Sequence, residues 1–192
     1  MVSVKSTMLA LGTPAPAFRL KDTEGNWVTI DDFEDSTALL VIFMCNHCPY
    51  VRHLSEGLVD YAKEFLGQGV AIVGINANDA ERYPDDAPEK MMAEKVRAGY
   101  PFPYLFDPEQ TVARAYKAAC TPDFFLFDRE RCLVYRGRFD ASTPKNNEAV
   151  TGAELRSATN AVLAGHEISA EQKPSIGCNI KWRPGNEPEW FG

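Results

Sequence analysis

The residues best equipped for chemistry are Cys45 and Cys48, the two cysteines of Cys45-Asn46-His47-Cys48-Pro49-Tyr50. Thiols at this spacing can close a disulfide when the backbone turns, supply half of a tetrahedral metal site, or pack as small inert side chains. A structural zinc site needs four ligands, usually from two paired motifs, and the 192 residues contain no second CxxC and no HxxxH. His53, five residues past Cys48, falls about 140° around a helix from it. The spacing therefore favours a redox pair. A Cu(I)- or Zn(II)-binding module using Cys45, Cys48 and His47 is an alternative.

The flanking stretches say how the pair is held. Ala38-Leu39-Leu40-Val41-Ile42-Phe43-Met44 is the one sustained apolar run, and its branched and aromatic members suit a central strand buried on both faces. Downstream, Tyr50, Val51, Leu54, Leu58, Tyr61, Ala62 and Phe65 recur at steps of three or four, which predicts a helix with one face on a core. The thiols are expected at the strand-to-helix turn and in the helix's first turn, where unpaired N–H groups and the helix dipole stabilise negative charge. The thiolate is the attacking species, so Cys45 is expected to be exposed and activated, with Cys48 one turn away as its partner. Pro49 is tolerated because the N–H it lacks has no intrahelical partner. His47 is placed to act as a partly charged donor to the thiolate; a plain surface histidine is the other reading. A stabilised thiolate moves the couple toward a stronger oxidant.

With 45% hydrophobic and 24% charged residues, the chain has the composition of an ordinary soluble domain with a sizeable core. A net charge of −7 without a basic stripe argues against nucleic acid and anionic membranes as partners. The longest apolar run is too short to span a bilayer. Ala15-Pro16-Ala17 fits a small-residue cleavage site, but the apolar stretch Met8–Leu11 before it is shorter than a signal peptide requires, so a cytoplasmic location is expected. Five cysteines, three of them scattered at 120, 132 and 178, do not make a disulfide scaffold.

Along the chain, residues 1–11 read as a lightly packed terminus. Phe18–Leu20 and Trp27–Ile30 alternate around a turn and predict a hairpin. Val70–Ile75 is a second buried-strand pattern, giving a parallel strand–helix–strand unit. The polar stretch Asn76–Pro88 follows at the strand's carboxyl end, where such sheets usually place ligand contacts. Its Asn78, Asp79, Asp85 and Asp86 read chiefly as a solvated helix cap, with a cation or partner contact as the alternative. Pro88–Ala98 predicts a helix with Met91, Met92 and Val96 inward. The prolines of Pro101–Phe106 argue for an edge strand. Asp107-Pro108 is expected to begin another helix, strands at 124–127 and 132–135 form a hairpin, and Thr151–Leu163 is the last helix. Residues 165–192 show no periodicity and read as an extended tail of a single domain, after a hairpin at 12–33 and a core at 36–164.

This order of elements resembles the thioredoxin-like fold, an α/β class with a central mixed sheet flanked by helices, here with an N-terminal hairpin and an irregular C-terminal extension. The resemblance is closest to redoxins of the TlpA-like and peroxiredoxin-like kind. It rests on Gly12–Leu20 with Gly25 and Val28, on the CxxC, and on Thr121-Pro122 before a strand. It implies thiol–disulfide exchange without an organic cofactor, on protein or small-molecule disulfides and together with a thiol reductant system. It also implies a cis-proline at Pro122, with Thr121 offering its backbone to a bound polypeptide as an added strand. Two departures stand out. The buried carboxylate that thioredoxins carry in the central strand has no counterpart in 38–44. The PxxxTxxC pattern of peroxiredoxins is also broken, with Ala38 and Ile42 in place of proline and hydroxyl. Peroxidase activity is therefore the second functional reading, and Arg136 or Arg138 would have to supply its charge; both read more simply as exposed strand residues. Cys120 is either an additional redox thiol or a small buried hydrophobe, Cys178 either a resolving or partner-linking thiol or a packed one, and Cys132 reads as core.

Overall fold

A computed structural model describes residues 3–191. Its central strand, β4 (Ala38–Phe43), is buried at every position. Ala38, Leu40 and Ile42 face one hydrophobic cluster and Leu39, Val41 and Phe43 the other, so the unbroken apolar run is what a two-faced core strand requires. Each such side chain contributes roughly 1.5–3 kcal/mol on burial.

Ten strands and four helices are described. Before β4 come β1 (Ser3–Lys5), β2 (Arg19–Asp22) and β3 (Trp27–Thr29); after it, α1 (Pro49–Phe65), β5 (Val70–Asn76), α2 (Pro88–Ala98) and β6 (Tyr104–Phe106). The chain continues with α3 (Thr111–Ala115), β7 (Cys120–Thr121), β8 (Asp123–Phe127), β9 (Leu133–Gly137), α4 (Ala153–Leu163) and β10 (Ile176–Asn179). Seven strands form a mixed sheet in the order β3-β2-β6-β5-β4-β8-β9. Within it β4 and β5 run parallel, as do β5 and β6, while β4 and β8 are antiparallel. The cluster on one face gathers α1, Met91 of α2, and Leu155 and Ala158 of α4. That on the other gathers Val112 and Ala113 of α3 with Leu9, Ile180 and Trp182. All seven apolar positions expected to face inward from α1 are buried.

Several expectations need correction. The terminus read as lightly packed contributes β1, and the tail read as irregular contributes β10. Together with β7 they make a second, three-stranded antiparallel sheet in the order β1-β10-β7. Strand β6 lies between β2 and β5, not at an edge; Pro101 and Pro103 precede it, so neither removes a ladder donor. Val96 is 75% exposed. Helix α3 starts at Thr111 after Gln110 in a left-handed conformation, and Asp107 instead accepts from the Ala113 amide at 2.9 Å. Cys132 is only half-buried.

Candidate active site

The sheet delivers both cysteines to one place. Beyond β4, the Met44 amide still donates to Ile75 O at 2.9 Å, so the chain leaves the sheet only at Cys45. Cys48 is the N-cap of α1, with φ −71° and ψ 121° and Pro49 next to it. The turn between them is fastened from three sides: Arg52 Nε donates to Asn46 O at 2.8 Å, Tyr104 OH to Asn46 Oδ1 at 3.0 Å, and the Asn46 amide N–H to Asp86 Oδ1 at 2.8 Å.

Asp86 is fully buried and is the main site residue that the sequence reading assigned to a solvated cap. It is not solvated because donors surround it. Besides the Asn46 amide, Asn78 Nδ2 donates to its Oδ2 at 2.7 Å, and His47 Nδ1 lies 2.6 Å from the same oxygen. The Asp86 contact raises the pKa of His47 above its ordinary value, against the opposing effect of burial. The His47 ring also stacks on Tyr83 at 5.9 Å between centroids. Histidine here is thus held by a carboxylate and an aromatic face, neither of which the sequence reading attached to it.

On the opposite side stands the loop before β8. The Thr121–Pro122 peptide bond is cis. Thr121 touches both thiols: its Oγ1 lies 3.3 Å from Cys45 Sγ, and its carbonyl accepts from Cys48 Sγ at 3.1 Å. The backbone edge expected to receive a polypeptide is occupied by the chain's own β10, which pairs Cys178 with Thr121 and Asn179 with Cys120. Cys45 is 1% exposed and Cys48 0%. The expectation of an exposed Cys45 fails because nonlocal segments enclose the turn, Thr121 and Asp86 beside Cys45 and β10 beside Cys48.

The distribution of charge is also corrected. Helical N–H groups favour negative charge where they point, and here the Val51 amide serves the N-cap residue, Cys48. Side-chain hydrogen bonds from Cys178 and Cys45, with help from Thr121 and Val51, hold the Cys48 pKa well below the ordinary thiol value against the cost of burial. Cys45 moves the other way, raised by its hydrogen bond to Cys48, by burial and by the charge of Asp86. A single negative charge in this group belongs preferentially to Cys48.

The remaining candidates lie outside this contact group. Cys120 is buried, its thiol pushed well up by desolvation, and its Sγ donates to Pro122 O at 3.6 Å. Arg136 is engaged by Leu9 O and Gln172, and Arg138 by Glu154, so neither offers its guanidinium to the thiols. Among the described residues, Cys45, His47 and Asp86 have one ligand atom each within 4.8 Å of one another. That set differs from the expected one of Cys45, Cys48 and His47, because Asp86 takes the place of the second sulfur. No helix among the described residues is long and apolar enough to cross a membrane.

A mixed sheet of this order flanked by helices is the thioredoxin-like fold. Residues 11–136 match the AhpC/TSA family, and the chain belongs to that family, one of redox enzymes. The fold extends beyond the matched region. The crystal structure of an uncharacterized conserved protein from Geobacillus kaustophilus is 49% identical, covers 96% of this chain and 98% of its own, and has a TM-score of 0.94. A Mycobacterium tuberculosis protein whose name places it among peroxiredoxins is 30% identical over 114 residues, 59% of this chain and 68% of that protein. The thiol–disulfide oxidoreductase ResA of Geobacillus thermodenitrificans is 29% identical over 133 residues, 65% of this chain and 67% of that protein.

Proposed function

We propose that the protein is a thiol–disulfide oxidoreductase working through a Cys45–Cys48 dithiol/disulfide couple. The observation that carries this reading is the contact between the two sulfurs beside Thr121, with Cys48 favoured for negative charge. In the oxidised protein a substrate thiolate attacks Cys45 Sγ, the Cys45–Cys48 bond breaks, and Cys48 leaves as the stabilised thiolate. A low-pKa thiol is the better leaving group. A second substrate thiolate then attacks the substrate sulfur of the mixed disulfide, which releases Cys45 and delivers a disulfide to the substrate. In the reverse direction Cys48 resolves the mixed disulfide formed at Cys45. Stabilising Cys48 as a thiolate favours the reduced form and so makes the couple more oxidising.

The supporting residues have separate tasks. Asn46 fixes the turn through Asp86, Tyr104 and Arg52; His47, its pKa raised by Asp86, is biased toward the charged form beside the turn; Thr121 and Pro122 shape the opposite wall. The substrate is a disulfide-containing protein or a small thiol or disulfide, with a thiol reductant system closing the cycle. An extended polypeptide reaches the Thr121 edge only when β10 moves off it, so a small substrate meets less resistance.

The test is exchange between the oxidised protein and a small dithiol, compared with Cys45→Ser. Loss of exchange in the variant is expected; full retention would refute the couple. Peroxidase activity predicts instead that hydrogen peroxide consumes Cys45 far faster than an ordinary thiol. With Arg136 and Arg138 engaged elsewhere, the expected rate is the ordinary one.

A further inference from the structure

Cys178 has no part in the couple described above, yet it lies against it. Strand β10 places Cys178 directly opposite Thr121, the residue whose hydroxyl meets Cys45 and whose carbonyl meets Cys48. The Cys178 and Cys45 side chains each hydrogen-bond Cys48. Three buried sulfurs therefore lie together, Cys48 hydrogen-bonded to both of the others.

This approach is built into the strand. A Cβ at position 177 would stand 2.0 Å from Thr121 O and 3.2 Å from Pro122 N, so only glycine lets β10 close on the cis-proline loop. The strand is then pinned on both sides of Cys178. Val4 of β1 pairs with Gly177, the Ile180 amide donates to Ala119 O at 3.1 Å, and the Lys181 amide donates to Asn78 Oδ1 at 2.8 Å. Cys178 is 3% exposed, too enclosed to link this chain to another without rearrangement. Its reachable sulfur partner is Cys48.

We propose that Cys178 is a third redox thiol of this site, exchanging with the Cys45–Cys48 disulfide to give a Cys48–Cys178 disulfide. The proposal rests on the Cys45–Cys48 couple proposed above. In the step, Cys178 gives up its proton and its sulfur attacks Cys48 Sγ. The Cys48–Cys178 bond forms as the Cys45–Cys48 bond breaks, and the electron pair leaves on Cys45 Sγ, which takes up the proton. One disulfide replaces another, so no outside oxidant or reductant is consumed. The exchange returns Cys45 as a thiol while the oxidising equivalents stay within the protein.

The experiment uses the full chain with Cys45→Ser, reduced, freed of reductant, and treated with oxidised glutathione. Non-reducing digestion and mass spectrometry then identify each cysteine's partner. The expected result is a Cys48–Cys178 linkage in most molecules and the loss of two titratable thiols; Cys45→Ser with Cys178→Ala should instead stop at a Cys48–glutathione mixed disulfide. If the single variant also stops there with Cys178 still a thiol, Cys178 is only a hydrogen-bond donor and the proposal falls. Cys45→Ala repeats the measurement if the serine disturbs folding. In a parallel arm, Cys178→Ala with Cys45 intact should form Cys45–Cys48. Formation of that bond without any Cys48–Cys178 linkage in the first arm sinks the third thiol alone, whereas its failure to form sinks the couple.

Discussion

The seven-stranded sheet and the three-stranded sheet are made of different material. The large one is centred on β4, whose side chains point into two hydrophobic clusters and would form a strand in almost any context that buried them. The small one consists of β1, a two-residue β7 and the segment Ile176-Gly177-Cys178-Asn179, which carries little strand propensity. It exists because its strands find one another over the cysteines. The large sheet supplies the stability that positions Cys45 and Cys48, and the small one closes the Thr121 edge beside them.

The largest effect should come from emptying the large sheet. Leu40→Ala, at a fully buried position, should cost about 2–5 kcal/mol in chemical denaturation; a loss under about 1 kcal/mol would mean that β4 is not the central support. Gly177→Ala tests the small sheet. Relieving the clash with Thr121 should cost about 1–3 kcal/mol and speed alkylation of Cys45 and Cys48 by iodoacetamide. Equal cost with unchanged alkylation would show that β10 is not the cover.

Asp123 tests the seam between the two sheets. It opens β8 directly after Pro122, and burial pushes its carboxyl up to about 8, against hydrogen bonds from the Ala119 amide and Ser6. The folded protein therefore keeps this proton over a range, about pH 4 to 8, in which the unfolded chain has lost it. With more protons bound when folded, stability falls as pH rises through that window. Asp123→Asn should flatten that part of a pH-dependent unfolding curve. An unchanged slope would place the titration elsewhere.

Asp86→Asn addresses the turn itself. His47, raised by Asp86, contributes stability that is complete below its unfolded pKa of about 6.5 and is lost as pH climbs through the folded value. The stability gap between wild type and variant should thus narrow on going alkaline; a widening gap would contradict the pair. The smallest effect belongs to Val96→Lys, at an exposed helix position away from both sheets, which should stay within about 0.5 kcal/mol of wild type.

The same contrast explains what could be read from the sequence. β4 and α1 were legible because each carries a complete local pattern: unbroken apolar character in one, three-and-four spacing in the other. The CxxC, Thr121 and Pro122 could be placed because their spacing and chain order are properties of the sequence. Asp86 was not, since nothing local marks one acid of a polar loop for burial; its donors come from Asn46, His47 and Asn78. The exposure of Cys45 was misjudged for a related reason, because the segments that enclose the turn lie far along the chain. Val96 and β6 show the local version of this limit. Val96 sits where four-residue spacing from Met92 suggests an inward face, and the prolines near β6 precede it.

The zipper of β1 against β10 joins the first described residues of the chain to some of its last, above the sulfurs. Synthesis proceeds from one to the other, so a growing chain can assemble the large sheet, with its CxxC turn, before the segment at 176–179 has emerged from the ribosome. During that interval the pair faces its surroundings without a cover, and a bond made then is sealed in once β10 docks.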